Sequence, residues 1–211
     1  MVAIRPVRAD DLDALYRIAL ATGDGGADAS ALYRDPKLLG HIYAAPYFAL
    51  CPQTVFIAED AAGVGGYIVG AADTPAFETR LEAEWWPGLR TTYPAPCDVS
   101  RAEWTRDQRM THMIHHPRRT PNEITDVYPS HLHINLLPRL RGRGAGRALM
   151  DRWLRAVYAA GSTGAHLAVG SANARAIRFY TENGFRALAW PPYPAVGAIW
   201  LGIALESGLR D

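Results

Sequence analysis

Residues 131–160 read without a break as a strand, a glycine-rich turn and a helix. HLHINLLP (131–138) alternates well enough for a strand, and RLRGRGAG follows it. From about Gly144 to Ala160 the apolar positions Ala145, Leu149, Trp153, Val157 and Ala160 then keep helical spacing until Gly161 stops the run. A helix entered this directly from a strand crosses back over the sheet, which confines the chain to the α/β class. The remaining periodicities agree. A strand is expected over 2–7, a helix over 10–21 behind an Asp10 cap, and a second helical pattern over 29–43, interrupted near Pro36. TVFIAED and VGGYIVGAAD flank a turn at Ala61–Gly63 as a hairpin, AHLAVG (165–170) reads as a buried strand, and residues 173–183 form a helix closed by Gly184. FRALAW (185–190) and AIWLGIAL (198–205) supply the last two strands. The expectation is one domain, 1–211, with a mixed central sheet of about seven strands and helices on both faces.

Between the third and fourth strands lies a long insertion, 74–130, with helical stretches near 75–85 and 100–115. It carries Trp85, Trp86 and Trp104 and is too aromatic for a disordered linker, so it is expected to form a lid or a pocket wall. With 211 residues, 49% of them hydrophobic, the chain can build one substantial core. A net charge of +1 gives no global attraction to nucleic acid or to an acidic membrane. No window reaches eighteen uncharged apolar residues, and Arg5, Arg8 and Asp10 interrupt what a signal peptide would need, so a cytoplasmic location is expected. Cys51 and Cys97 are too few for a disulfide framework, which fits a reducing compartment. His112 and His116 form an i, i+4 pair without a third ligand in register, so no metal is expected. Glu123 and Asp126 lie just upstream of the histidine-bearing strand, where they would shape a pocket for a cation or serve as surface charges.

The glycine-rich turn has the makings of a phosphate loop, because glycines bare backbone N–H groups and a helix N-terminus favours negative charge. Its spacing eliminates two classes. A G-x-x-x-x-G-K-[ST] run is absent, the sole lysine being the distant Lys37. A G-x-G-x-x-G fingerprint fails because Gly142, Gly144 and Gly146 alternate and Arg147 follows them. A third pattern, [Q/R]-x-x-G-x-[G/A], is met by Arg141-Gly142-Arg143-Gly144-Ala145-Gly146 between the strand and the helix. A second motif stands about thirty residues on: NARAIRFYTENGF matches N-x-x-A-x-x-x-Y-x-x-x-G-F through Asn173, Ala176, Tyr180, Gly184 and Phe185. Asn173, Ala176 and Tyr180 share one helical face.

On these two motifs the chain resembles the GNAT superfamily of N-acetyltransferases, most specifically over residues 131–190. The resemblance implies the GNAT fold and acetyl-CoA as donor, with the pyrophosphate held by backbone N–H groups from Arg141 to Gly146. Arg139, Arg143 and Arg147 would be counter-charges, and Asn173 and Ala176 would border the coenzyme. The pantetheine would run along the strand near Leu136 and Leu137, with the Leu136 N–H as the most suitable donor to a developing oxyanion. Tyr180, a phenol that keeps its proton at pH 7, would protonate the departing thiolate. His131 and His133 share one strand face with Asn135 and carry the right pKa for a base. That His-x-His strand resembles the one in arylalkylamine N-acetyltransferases, where the pair relays the amine proton, although a bulge is needed to bring the two into register. DVYPSHLHINLLP, GRGAGRALM and the tryptophan-bearing insertion also resemble the acetyltransferase-like domain of O-GlcNAcases and its stand-alone bacterial relatives. The expected activity is acetyl transfer to an amine by direct attack in a ternary complex, with a small-molecule acceptor favoured over a peptide. The alternative is a module that binds acetyl-CoA, or a protein partner, without turnover. Nucleic-acid and membrane partners are not expected, and an exposed seventh strand offers a surface for a homodimer.

Overall fold

The computed structural model describes residues 1–97, 100–188 and 197–206. Its single sheet holds β1 (Ala3–Pro6), β2 (Phe56–Asp60), β3 (Gly63–Ala71), β4 (Ser130–Leu136), β5 (Gly164–Gly170), β6 (Arg186–Ala187) and β7 (Ala198–Ala204), in the spatial order β1-β2-β3-β4-β5-β7-β6. Around it lie α1 (Leu12–Ala21), α2 (Leu38–Tyr43), α3 (Ala45–Leu50), α4 (Thr74–Arg80), α5 (Trp86–Thr92), α6 (Arg106–His115), α7 (Asn122–Thr125), α8 (Ala145–Ala159) and α9 (Ala174–Glu182). Every strand pair is antiparallel except β4–β5. The crossover joining those two is α8, the helix that the strand–glycine–helix stretch requires.

Strand alternation divides the core between the two faces of the sheet. Phe56, Ala58, Ile68 and Leu132 turn toward α8, where Leu149, Met150, Trp153 and Val157 are fully buried. Ile57, Tyr67, Val69 and Ala71 turn the other way, onto Leu15, Ile18 and Ala19 of α1. Fully burying each large apolar side chain contributes about 1.5–3 kcal/mol. Gly70 permits the α8 contact, since a Cβ there would stand 2.5 Å from Cζ2 of Trp153.

Several local expectations are corrected by tertiary contacts. Asp11, rather than Asp10, holds the start of the first helix: it accepts the Arg8 N–H at 2.7 Å and two Arg5 bonds at 2.6 and 2.8 Å. The helical pattern at 29–43 contracts to α2, and an unforeseen α3 follows, opened by Pro46 in its first turn. In the insertion, α4 and α5 are joined by one π-helical turn, Leu81–Trp85. Trp86 of α5 and Ile114 of α6 close over Leu38 of α2 as a small separate core. β7 is not an edge: β5 pairs along its whole length, and β6 meets it at Leu201 and Gly202. Of the expected strand 185–190, Ala189 and Trp190 lie outside the described residues. Among the described residues, no helix is long and apolar enough to cross a membrane.

Candidate active site

The site exists because two parallel strands part company. β4 and β5 pair only at Ser130–Ala165 and His131–His166. Beyond that point a cavity of about 810 Å³ lies between them, bordered by His133–Leu136 on one side and Ala168–Gly170 on the other. On its far edge β4 pairs with β3 without a register shift, from Leu136–Gly66 to His131–Ala71, so the bulge needed to realign the histidines is absent. The Leu137 N–H donates to the Gly65 carbonyl at 2.8 Å. Alternate residues of an antiparallel ladder serve the same neighbour, so Leu137, Asn135 and His133 bond toward β3 while Leu136 and Ile134 turn their polar groups into the cleft. Of the two leucines, Leu136 alone has its N–H available there, and its carbonyl accepts from Nε of Arg141 at 2.9 Å.

At the mouth of the cleft the glycine turn enters α8. Gly142 and Gly144 have φ of +68° and +77°, a backbone that side chains disfavour, and a Cβ at either would meet open space. Gly144 is the N-cap of α8 and provides no side-chain cap, so the first N–H groups of the helix, at Ala145, Gly146 and Arg147, have no side-chain partner from the cap. Gly146 lets α9 approach, since a Cβ there would lie 3.0 Å from Phe179.

The arginines divide differently from the expectation. Arg139 is tied to Asp60 at 3.3 Å and to the Gly63 carbonyl at 2.8 Å, away from the cleft. Arg141 reaches the Gly26 carbonyl at 2.6 Å and so pins the turn after α1 to β4. Arg143 is exposed and does not line the cavity, whereas Arg147 lines it with its side chain 76% exposed, 3.8 Å from Asp151. Arg175, which sequence reasoning passed over because it occupies a variable motif position, stands beside Arg141 at the Gly25–Gly26 turn. Burial, and then Arg175, push the Arg141 guanidinium pKa down.

Asn173, Ala176 and Tyr180 share the cavity-facing side of α9. The Asn173 side chain is taken up locally: its oxygen accepts the Ala176 N–H at 3.1 Å and its nitrogen donates to the Gly25 carbonyl at 3.4 Å. It therefore caps α9 and anchors the α1 turn instead of offering a free polar group. Tyr180 is 8% exposed, and its hydroxyl makes no hydrogen bond among the described residues. Burial raises its pKa above that of an ordinary phenol, so it keeps its proton at neutral pH.

The two strand histidines have unlike environments. His133 lines the cavity. His131 lies deeper, between Thr74 Oγ1 and Tyr47 Oη, each at 2.8 Å. The Thr74 hydroxyl donates its one hydrogen to the Pro129 carbonyl at 2.6 Å, so it accepts from Nδ1–H of His131, whose Nε2 then accepts from Tyr47. Both nitrogens of His131 are thereby engaged. His166, opposite it on β5, donates from Nδ1 to the Tyr128 carbonyl at 2.6 Å. Burial, reinforced by His166, pushes His133 down to about 4; burial alone does the same to His166 and, with both neighbours, takes His131 well below its ordinary value. All three are neutral at pH 7.

Sequence reasoning missed the other end of the cavity. Tyr33, Leu39, Tyr43 and Tyr67, together with Met110 of α6, form an aromatic and apolar wall beside His133. Leu39 lies within the helical pattern expected over 29–43, and nothing in the sequence marked these residues as one wall. In the same insertion, His112 lies beside Arg101 and its ring is 4.4 Å from that of His116.

A mixed seven-stranded sheet splayed between its two parallel strands, with an uncapped helix N-terminus at the mouth of the cleft, defines the α/β class of the protein. The family model for the acetyltransferase (GNAT) domain matches residues 116–187. The crystal structure of SsHAT is 38% identical and superposes with a TM-score of 0.86, covering 96% of this chain and 98% of that one. The chain belongs to the GNAT acetyltransferase family. The structure of yncA from Salmonella typhimurium with its cofactor acetyl-CoA shares the fold at 16% identity, with a TM-score of 0.57 over 98% of this chain and 95% of that one. Protein O-GlcNAcase of Rattus norvegicus and of Mus musculus are each 23% identical over 182 residues, which is 86% of this chain. The chain spans only 20% of the length of those two proteins.

Proposed function

We propose that the protein transfers the acetyl group of acetyl-CoA to a small-molecule amine by direct attack, with both substrates bound at once. One observation carries this reading: the Leu136 N–H and the Tyr180 hydroxyl, both without a partner among the described residues, border a single cleft that runs from the uncapped start of α8 to an aromatic end wall. The coenzyme supplies an activated thioester. The turn Arg141–Gly146 and the first N–H groups of α8 hold its pyrophosphate, with Arg147 and Arg175 as the cations within reach. The Leu136 N–H hydrogen-bonds the carbonyl oxygen as negative charge develops on it. Tyr180 returns a proton to the sulfur as the carbon–sulfur bond breaks. His133, neutral and turned into the cavity, takes the proton lost by nitrogen, while His131 and Tyr47 hold the floor beneath it.

Calorimetry with acetyl-CoA and thiol release over an amine panel test this reading. We expect binding, and amine-dependent release of thiol. Binding without accelerated release by any amine would leave a coenzyme-binding module. Gly144→Val is expected to destabilise the fold by about 2 kcal/mol through its left-handed backbone, read by urea denaturation. The same change is expected to weaken acetyl-CoA binding by at least about tenfold, because the α8 N–H groups are displaced.

A further inference from the structure

The end of the cavity away from the glycine turn is walled by Tyr33, Leu39, Tyr43, Tyr67 and Met110, with His133 at its edge. No carboxylate among the described residues lines this end. The one acid in the cavity lining, Glu182, is on the last turn of α9, exposed and paired with Arg178 at 2.7 Å. Asp107 is taken up by the backbone N–H groups of Arg34 and Asp35 at 3.0–3.2 Å. Asp107 and Asp24 both act on Tyr33, opposed by the stronger influence of Arg106, and Tyr43 is acted on by Tyr33 and by the cation Arg118. An alkylammonium entering this end would lose its water and meet no carboxylate in the lining to pair with. Tyr67 adds the positive signal. Its side chain is fully buried on the β3 face shared with His133, and its hydroxyl has no hydrogen-bond partner among the described residues. A buried hydroxyl left unpaired is costly unless something else binds it.

We infer that the acceptor is an aromatic amine, whose nitrogen is conjugated with its ring and uncharged at neutral pH, and that Tyr67 is the residue that positions it. The inference rests on the acetyl-transfer reading above. The aromatic wall receives the ring, and Tyr67 Oη accepts one N–H, turning the nitrogen lone pair toward the thioester carbon. That lone pair forms the carbon–nitrogen bond, and the carbon–sulfur bond breaks with its electron pair on sulfur. The nitrogen then gives one proton to His133, and the sulfur takes one from Tyr180; solvent re-equilibrates the two side chains. An aromatic amine that has attacked holds its extra proton weakly, so the poorly basic His133 is sufficient.

The isomers 4-methylaniline and benzylamine have equal size and differ in whether nitrogen is conjugated with the ring. With acetyl-CoA saturating at pH 7, kcat/KM for 4-methylaniline should exceed that for benzylamine by at least about tenfold. Tyr67→Phe should raise KM for 4-methylaniline about tenfold with kcat little changed, and weaken its calorimetric binding to the protein–CoA complex in parallel. Met110→Glu, which supplies the missing counter-charge, should shift the preference toward benzylamine. Preference for benzylamine in the unaltered protein, or an unchanged KM in Tyr67→Phe, would overturn the inference and leave acetyl transfer standing. Failure of both amines, and of every other amine, to release thiol despite acetyl-CoA binding would overturn the transferase reading and this inference with it.

Discussion

Tyr180→Phe should lower kcat for thiol release by about 10²-fold while leaving KM for acetyl-CoA within about twofold. The size follows from general-acid catalysis: without a placed donor, the thiolate leaves unprotonated or waits for a proton from water. The binding surface survives because the ring is retained. Stability should also survive. The hydroxyl has no hydrogen-bond partner among the described residues, so its removal leaves nothing in the fold unpaired. Steady-state kinetics beside a denaturation curve therefore separate the two roles of the tyrosine. A fall in kcat of less than about threefold would place the acid on another group.

Acid should unfold this protein earlier than its small net charge suggests. His131 packs edge-on against His133 and at a tilt against His166 of β5, with ring centroids 6.3 Å and 5.8 Å apart. In the unfolded chain a histidine takes up a proton near pH 6.5; in the fold His133 and His166 resist until about pH 4. Their folded pKa lies below the unfolded one, so between those limits the unfolded state binds more protons. Stability is then complete above about pH 6.5 and declines as the pH falls toward 4. A histidine held down to that extent withholds about 3 kcal/mol by pH 4, and two of them approach the whole stability of an ordinary domain. Urea midpoints measured at pH 7.5 and pH 4.5 should differ sharply, and His166→Gln should flatten the difference. Identical midpoints at the two pH values would show that the cluster is hydrated in solution.

How much could be read in advance depended on how local each signal was. The glycine turn, α8 and α9 were legible because their determinants lie within one or two turns of chain: alternate glycines, an apolar stripe, and Asn173 and Gly184 at the ends of one helix. Tyr180 could be singled out for the same reason, since its place relative to Asn173 is fixed by helical geometry. The arginines show the limit. Arg139 and Arg143 were both expected as counter-charges and Arg141 as part of the backbone cradle, yet their side chains meet Asp60, solvent, and the Leu136 and Gly26 carbonyls respectively. No spacing rule carries that information, because Asp60 and Gly26 come from distant parts of the chain and the reach to Leu136 depends on how the turn folds back.

The same distinction separates donor from acceptor. By itself the sequence determined the α/β class, the crossover helix and the phosphate-type loop, because these rest on backbone conformation and short-range periodicity. Only the tertiary structure decided that Leu136 keeps a free N–H while Leu137 does not, and that His131 is locked beneath His133. It alone brought Tyr33, Tyr43, Tyr67 and Met110, from three separate segments, to one end of one cavity. Hydrogen-bond parity in a ladder, and the convergence of side chains far apart in the chain, are set by strand order and by the packing of α6 against α2. Both are properties of the assembled sheet and its layers, and no stretch of the chain expresses them alone.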